Sequence, residues 1–147
     1  MKRTVKKIIY TAGVVTDKSE LSKIISEGYP NIFCDHMTIK FGDINEMPEY
    51  IGKKFNFVVE FIAFNEKAVA VAGYPDNEEI KNFMKSIDQI PHITICTAKD
   101  IKPVYSNELI KVGFRESMNL IILMKVGAFV AYDDNSTGWK YSKRNMK

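Results

Sequence analysis

The sequence predicts an α+β domain built of two similar lobes. Three observations carry that expectation. The chain has 147 residues, the size of one ordinary domain. Both strand-like and helix-like segments are present, with strands the more numerous. Their order also repeats faintly: strand, helix, short His-containing strand, hairpin, and then helix, short His-containing strand, helix, hairpin. No linker or low-complexity stretch divides the chain, so residues 1–147 are expected to form a single domain.

The elements are read in turn. Lys7 to Val15 is rich in β-branched residues and reads as a strand. Asp17-Lys18-Ser19-Glu20 is a helix-start signal. Leu21, Ile24 and Ile25 then recur at helical spacing, and Gly28 stops the helix. Cys34 to Phe41 is a second strand, ended by Gly42-Asp43. Phe55 to Phe64 is a strong strand, and Asn65-Glu66 turns the chain back into Lys67 to Ala72. Asn77 to Ile87 is the clearest helix, with Ile80, Phe83, Met84 and Ile87 on one face. His92 to Thr97 is a strand entered from Pro91. Ser106 or Asn107 caps a short helix through Ile110. Asn119 to Lys125 and Ala128 to Tyr132 read as two strands flanking Gly127, followed by a loose basic tail from Lys140 to Lys147.

Bulk properties narrow the function classes. The chain is 46% hydrophobic and 27% charged, the balance of a globular domain rather than a disordered one. A net charge of +3 tolerates a phosphate-bearing ligand without the heavy basic footprint of a DNA binder. Two cysteines, Cys34 and Cys96, are too few for a disulfide scaffold and read as reduced thiols in a cytoplasmic protein. No apolar run has the length of a membrane span. The basic, then apolar, start of the chain is a strand rather than a signal peptide: lysines interrupt it and no small-residue cleavage site follows.

The chain has two histidines, and each opens the same pattern: His36-Met37-Thr38-Ile39 and His92-Ile93-Thr94-Ile95. Both having Thr two positions on by accident is on the order of 1 in 400, although short motifs carry false positives. Residues i and i+2 of a strand share a face, so each motif sets an imidazole and a hydroxyl side by side, about 6.6 Å apart. The intervening Met37, Ile39, Ile93 and Ile95 turn into a core. Two such strands facing one cleft suit phosphodiester chemistry. A neutral imidazole takes a proton from water or a ribose hydroxyl, and a protonated one supplies the leaving oxygen. The hydroxyls donate to non-bridging phosphate oxygens. Which histidine plays which part is left open.

These paired motifs resemble the signature of the 2H phosphoesterase superfamily. Its members include 2′-5′ RNA ligase-like proteins, cyclic phosphodiesterases, the cyclic-phosphodiesterase domain of tRNA ligases, and phage enzymes that destroy cyclic oligonucleotide signals. The resemblance implies a bilobal fold, two antiparallel sheets with flanking helices around a central cleft. It implies no metal and no other cofactor. It implies catalysis by His36, Thr38, His92 and Thr94 on cyclic nucleotides or cyclic or 2′-5′-linked oligonucleotides. Degradation of a nucleotide second messenger in phage or viral defence evasion is one use it suggests. Healing of RNA ends through a 2′,3′-cyclic phosphodiesterase, or a non-catalytic nucleotide-sequestering module, are the alternatives. Partners are then a nucleotide or short oligonucleotide, with the chain a monomer.

Other residues have weaker claims. Lys102-Pro103-Val104-Tyr105-Ser106-Asn107 resembles a segment of tRNA-ligase-like and viral members, which makes Tyr105, Ser106 and Asn107 candidates for substrate contact; a capped loop is the plainer reading. Tyr10 and Trp139 are candidates for base stacking, set against ordinary packing. Lys40 shares strand parity with His36 and Thr38 and is a candidate phosphate contact. By the same parity Asp35 points away from His36. Cys34, His36, His92 and Cys96 form a Cys₂His₂ set, but at spacings unusual for zinc, so no metal is expected.

Overall fold

The computed structural model describes residues 4–24, 28–42 and 50–142. In chain order the elements are β1 (Val5–Val15), α1 (Ser19–Ser22), β2 (Asn31–Ile32), β3 (His36–Phe41), β4 (Lys54–Phe64) and β5 (Ala68–Pro75). There follow α2 (Glu78–Ser86), β6 (His92–Thr97), a 3₁₀ turn (Pro103–Tyr105), α3 (Ser106–Val112), β7 (Phe114–Tyr132) and β8 (Thr137–Lys140). Among the described residues no helix is long and apolar enough to cross a membrane.

Local chemistry sets most of these boundaries. The Asn65 side chain accepts from the Lys67 and Ala68 amides and closes the β4–β5 hairpin. Asn77 caps α2 by accepting from the Ile80 amide at 3.0 Å. That helix then buries Ile80 and Met84 completely, a burial worth about 1.5–3 kcal/mol for each side chain. Asp17 accepts from the Ser19 amide, but α1 is a single turn ending at Ser22 rather than a helix to Gly28. Its predicted Ile25 lies outside the described residues, as does the tail beyond residue 142.

The two strands expected around Gly127 are one, the 19-residue β7. Gly127 is not a turn. A Cβ there would meet the Tyr141 ring at 2.8 Å and the Trp139 ring at 3.2 Å. The glycine is a place of close approach, which the sequence does not distinguish from a breaker.

Every strand pairing is antiparallel, and the hydrogen bonds run through one sheet in the order β2-β6-β5-β4-β7-β1-β3, with β8 also on β7. The coarse α+β class holds, but two separate sheets are not how the strands connect. The reason is β7: its first part pairs with β4 and its second with β1, so one long strand joins both halves. The two ends of this path are consecutive in the chain. Residues 31–34 lie along β6, with the Phe33 and Cys34 amides donating to Ile95 and Thr94. From residue 35 the chain leaves β6 and runs along β1. This segment therefore joins the two edges of the sheet and sets β3 near β6. The main core lies on one face, around Met37, Ile39, Phe57, Ile93, Ile95 and Met124. The apolar residues between the motif positions are in it, as strand alternation requires.

Candidate active site

His36, Thr38, His92 and Thr94 all line one cleft of about 360 Å³. On β6, His92 and Thr94 are half-buried while Ile93 and Ile95 are buried completely, so both polar residues face the cleft. His92 Nδ1 lies 2.8 Å from the Ile90 carbonyl oxygen. A carbonyl only accepts, so Nδ1 carries the proton and Nε2 of the neutral ring is left as a free base. Burial pushes the imidazole below its ordinary pKa; the Ile90 carbonyl opposes this and the charge of His36 reinforces it. Thr94 Oγ1 sits 2.8 Å from the hydroxyl of Ser106, which is fully buried at the start of α3. The Pro103 carbonyl is a second acceptor at 3.4 Å.

On β3, the His36 ring stacks on Tyr10 with centroids 5.2 Å apart and approaches Trp139 at 5.8 Å. Asp35 Oδ1 lies 3.3 Å from His36 Nδ1. The contact falls short of hydrogen-bond geometry and His36 Nδ1 is buried without another partner, so the two groups attract as a charge pair when the ring is protonated. Proximity to His36 holds the Asp35 carboxyl below the ordinary carboxylate range, against the opposing effect of burial. The expectation that Asp35 points away is therefore corrected. Cys34 has φ +58°, a left-handed conformation that breaks strand alternation just before the motif. The same kink takes Cys34 off the face it was expected to share with His36. Its thiol is buried, points toward the Ile95 carbonyl and is pushed up to about 11, mainly by burial. The Cys₂His₂ set is not assembled: neither thiol lines the cleft, and no such cluster occurs among the described residues.

Of the weaker candidates, Tyr10 and Asn107 line the cleft. Ser106 does not reach it; the residue is inside α3, caps nothing, and touches the site only through Thr94. Tyr105 turns the other way, its hydroxyl accepting from Asn65 and its ring lying under Lys67. Lys40 also leaves the cleft. A bulge in the β1–β3 ladder shifts register between Thr11 and Ala12, so Thr38 pairs with Ala12, Lys40 with Thr11 and Phe41 with Tyr10. Parity slips by one residue; Phe41 takes the cleft face and the Lys40 ammonium lies by Phe83. Trp139 lies behind His36 and Tyr10 rather than in the cleft wall. Sequence reasoning missed Phe33, Phe41, Gln89 and Lys102, all lining residues. Lys102 alone carried a signal, as the cation just after the second motif.

Residues 14–125, about three quarters of the chain, match the family model of the fungal tRNA ligase phosphodiesterase domain. The chain belongs to that family. It is a family of the 2H phosphoesterase type, and both histidine motifs of this chain lie inside the matched residues. Tyr10 and Trp139, which pack against His36, and Phe129, which packs against both of them, lie outside them. No curated protein matches the chain. The family is one of phosphodiesterase domains, and the side chains of the cleft suit that reaction class. They supply a neutral imidazole, a second imidazole beside a carboxylate, and two hydroxyls.

Proposed function

We propose that the protein opens a 2′,3′-cyclic phosphate at the end of a nucleotide or RNA by acid–base catalysis, with no metal in the reaction. His92 is the base. Its Nε2 takes a proton from water as the water oxygen attacks phosphorus. The Ile90 carbonyl holds the resulting imidazolium through Nδ1–H. His36 is the acid, giving a proton to the ribose oxygen that leaves when its bond to phosphorus breaks. Asp35 holds the positive charge of His36 before that transfer. Thr38 and Thr94 donate to the non-bridging oxygens, where charge accumulates.

The observation that carries this reading is the hydrogen bond from His92 Nδ1 to Ile90. It commits one nitrogen to the backbone and leaves the other as a base in the cleft that also holds His36 and Thr38. The family supports a phosphodiester substrate in an RNA context, which favours the 2′,3′-cyclic end over a second messenger.

The test is a turnover assay with chelator present, on 2′,3′-cyclic nucleotides, 2′-5′ oligoadenylate and 3′,3′-cyclic dinucleotides. Cleavage of the first set is expected, with His36→Ala and His92→Ala each reduced by about 10²–10⁴. Near-normal turnover in either variant sinks the mechanism. Binding without cleavage of any substrate sinks the enzyme reading.

A further inference from the structure

The sheet face that carries His36 and Thr38 continues well beyond the cleft, and register fixes what lies on it. Residues directly opposite in an antiparallel ladder point to the same face. Phe41 pairs with Tyr10, Tyr10 with Phe129, and Phe129 with Trp139. Four aromatic residues thus form one row across β3, β1, β7 and β8. Their centroids are 5.7, 5.3 and 5.2 Å apart in that order, and Tyr141 stacks on Trp139 at 6.5 Å. Phe41 is 63% exposed and the others are half-buried.

On β7, Lys125 is two pairs along the same face from Phe129, and its ammonium lies 5.1 Å from the centre of the Tyr141 ring. Lys54 is its direct cross-strand partner on β4. Like charges directly opposite destabilise a sheet. A local rule broken on a face that already carries the proposed catalytic residues points to a ligand that relieves it.

We infer that this face is a platform for single-stranded nucleic acid, and that the substrate is a strand of several nucleotides whose cyclic-phosphate end enters the cleft. The aromatic row stacks the bases upstream of that end. Lys54 and Lys125 take their backbone phosphates. A π-face suits every base, so such a row binds without sequence preference. Tyr10, Phe129, Trp139 and Tyr141 lie outside the residues that match the family model, while Phe41, Lys54 and Lys125 lie within them. The inference rests on the proposed hydrolysis of cyclic ends for its polarity, with the strand leading away from His36.

The test compares kcat/KM for a 2′,3′-cyclic mononucleotide with that for an unstructured RNA of about six nucleotides bearing the same end, a span within the usual range of single-strand sites. Both are measured across a salt series with the full chain and with Lys54→Gln/Lys125→Gln. The oligonucleotide is expected to be at least tenfold better at low salt. Its log–log salt slope should be steeper than that of the mononucleotide by about 1.4, at about 0.7 per phosphate neutralised on a single strand. In the double variant the ratio of the two substrates should fall toward one and the extra slope should vanish. The melting temperature of the variant should not drop, since a like-charged pair has been removed.

An oligonucleotide no better than the mononucleotide, or a slope unmoved by the variant, overturns the platform while leaving the cleft chemistry standing. If neither substrate is cut, the hydrolytic reading fails, and the platform is decided by fluorescence anisotropy of an end-labelled RNA of the same length. A lysine-dependent salt slope then supports it and a lysine-independent one overturns it.

Discussion

The Ser106–Thr94 contact gives the sharpest prediction. Ser106 does not face the cleft, yet its hydroxyl is fully buried 2.8 Å from the Oγ1 that is proposed to hold a phosphate oxygen. When Thr94 donates into the cleft, Ser106 can donate into Thr94, and each bond polarises the other. Ser106→Ala removes that support. Thr94 is not left unsatisfied, because the Pro103 carbonyl remains at 3.4 Å. The stability cost is therefore that of one ordinary hydrogen bond, about 1 kcal/mol, or roughly 2–4 °C in Tm for a chain of this size. The same carbonyl now draws the Thr94 proton away from the phosphate. Removing a transition-state donor outright costs about 10²–10³ in kcat, which sets the expectation for Thr94→Val. Ser106→Ala should lose a part of that, about tenfold, in kcat rather than KM. The assay is a double-mutant cycle on a 2′,3′-cyclic nucleotide. If Ser106 acts through Thr94, the combined variant is no worse than Thr94→Val alone. Additive losses, or full activity in a destabilised Ser106→Ala, would refute the relay and leave Ser106 as packing.

Three further outcomes follow from the geometry. Burial depresses the His92 pKa, so the acid limb of kcat/KM should lie below the ordinary histidine value, with the rate rising as His92 loses its proton; a limb at or above that value contradicts the assignment of base. The same shift affects folding. As pH falls below about 6.5, the unfolded chain takes up the His92 proton first, so stability drops there and levels off below the folded value; His92→Gln should remove that step from pH-dependent chemical denaturation. Gly127→Ala drives a methyl group into Tyr141 and Trp139 and should cost about 1–3 kcal/mol, read as a lower midpoint in urea, whereas an unchanged midpoint would mean that β8 yields freely.

The sequence by itself determined the proposed catalytic set. His36, Thr38, His92 and Thr94 were legible because strand period 2 is a local rule and both motifs sit in strands that obey it. The hairpin at Asn65 and the cap at Asn77 were legible for the same reason, since each depends on a side chain bonding amides within three residues. What only the tertiary structure decided involves distant partners or a broken period. Gly127 reads as a breaker until Tyr141 and Trp139 are seen resting on it. Asp35 and Cys34 change face because Cys34 is left-handed where the chain passes from β6 to β1. Lys40 gives up the cleft to Phe41 because β1 and β3 slip by one residue at a bulge. Register belongs to a pair of strands, and no single strand's sequence specifies it. So the proposed acid–base residues are written locally, while the carboxylate beside His36, the hydroxyl behind Thr94 and the aromatic row beside His36 exist only once β1, β3, β6, β7 and β8 have met.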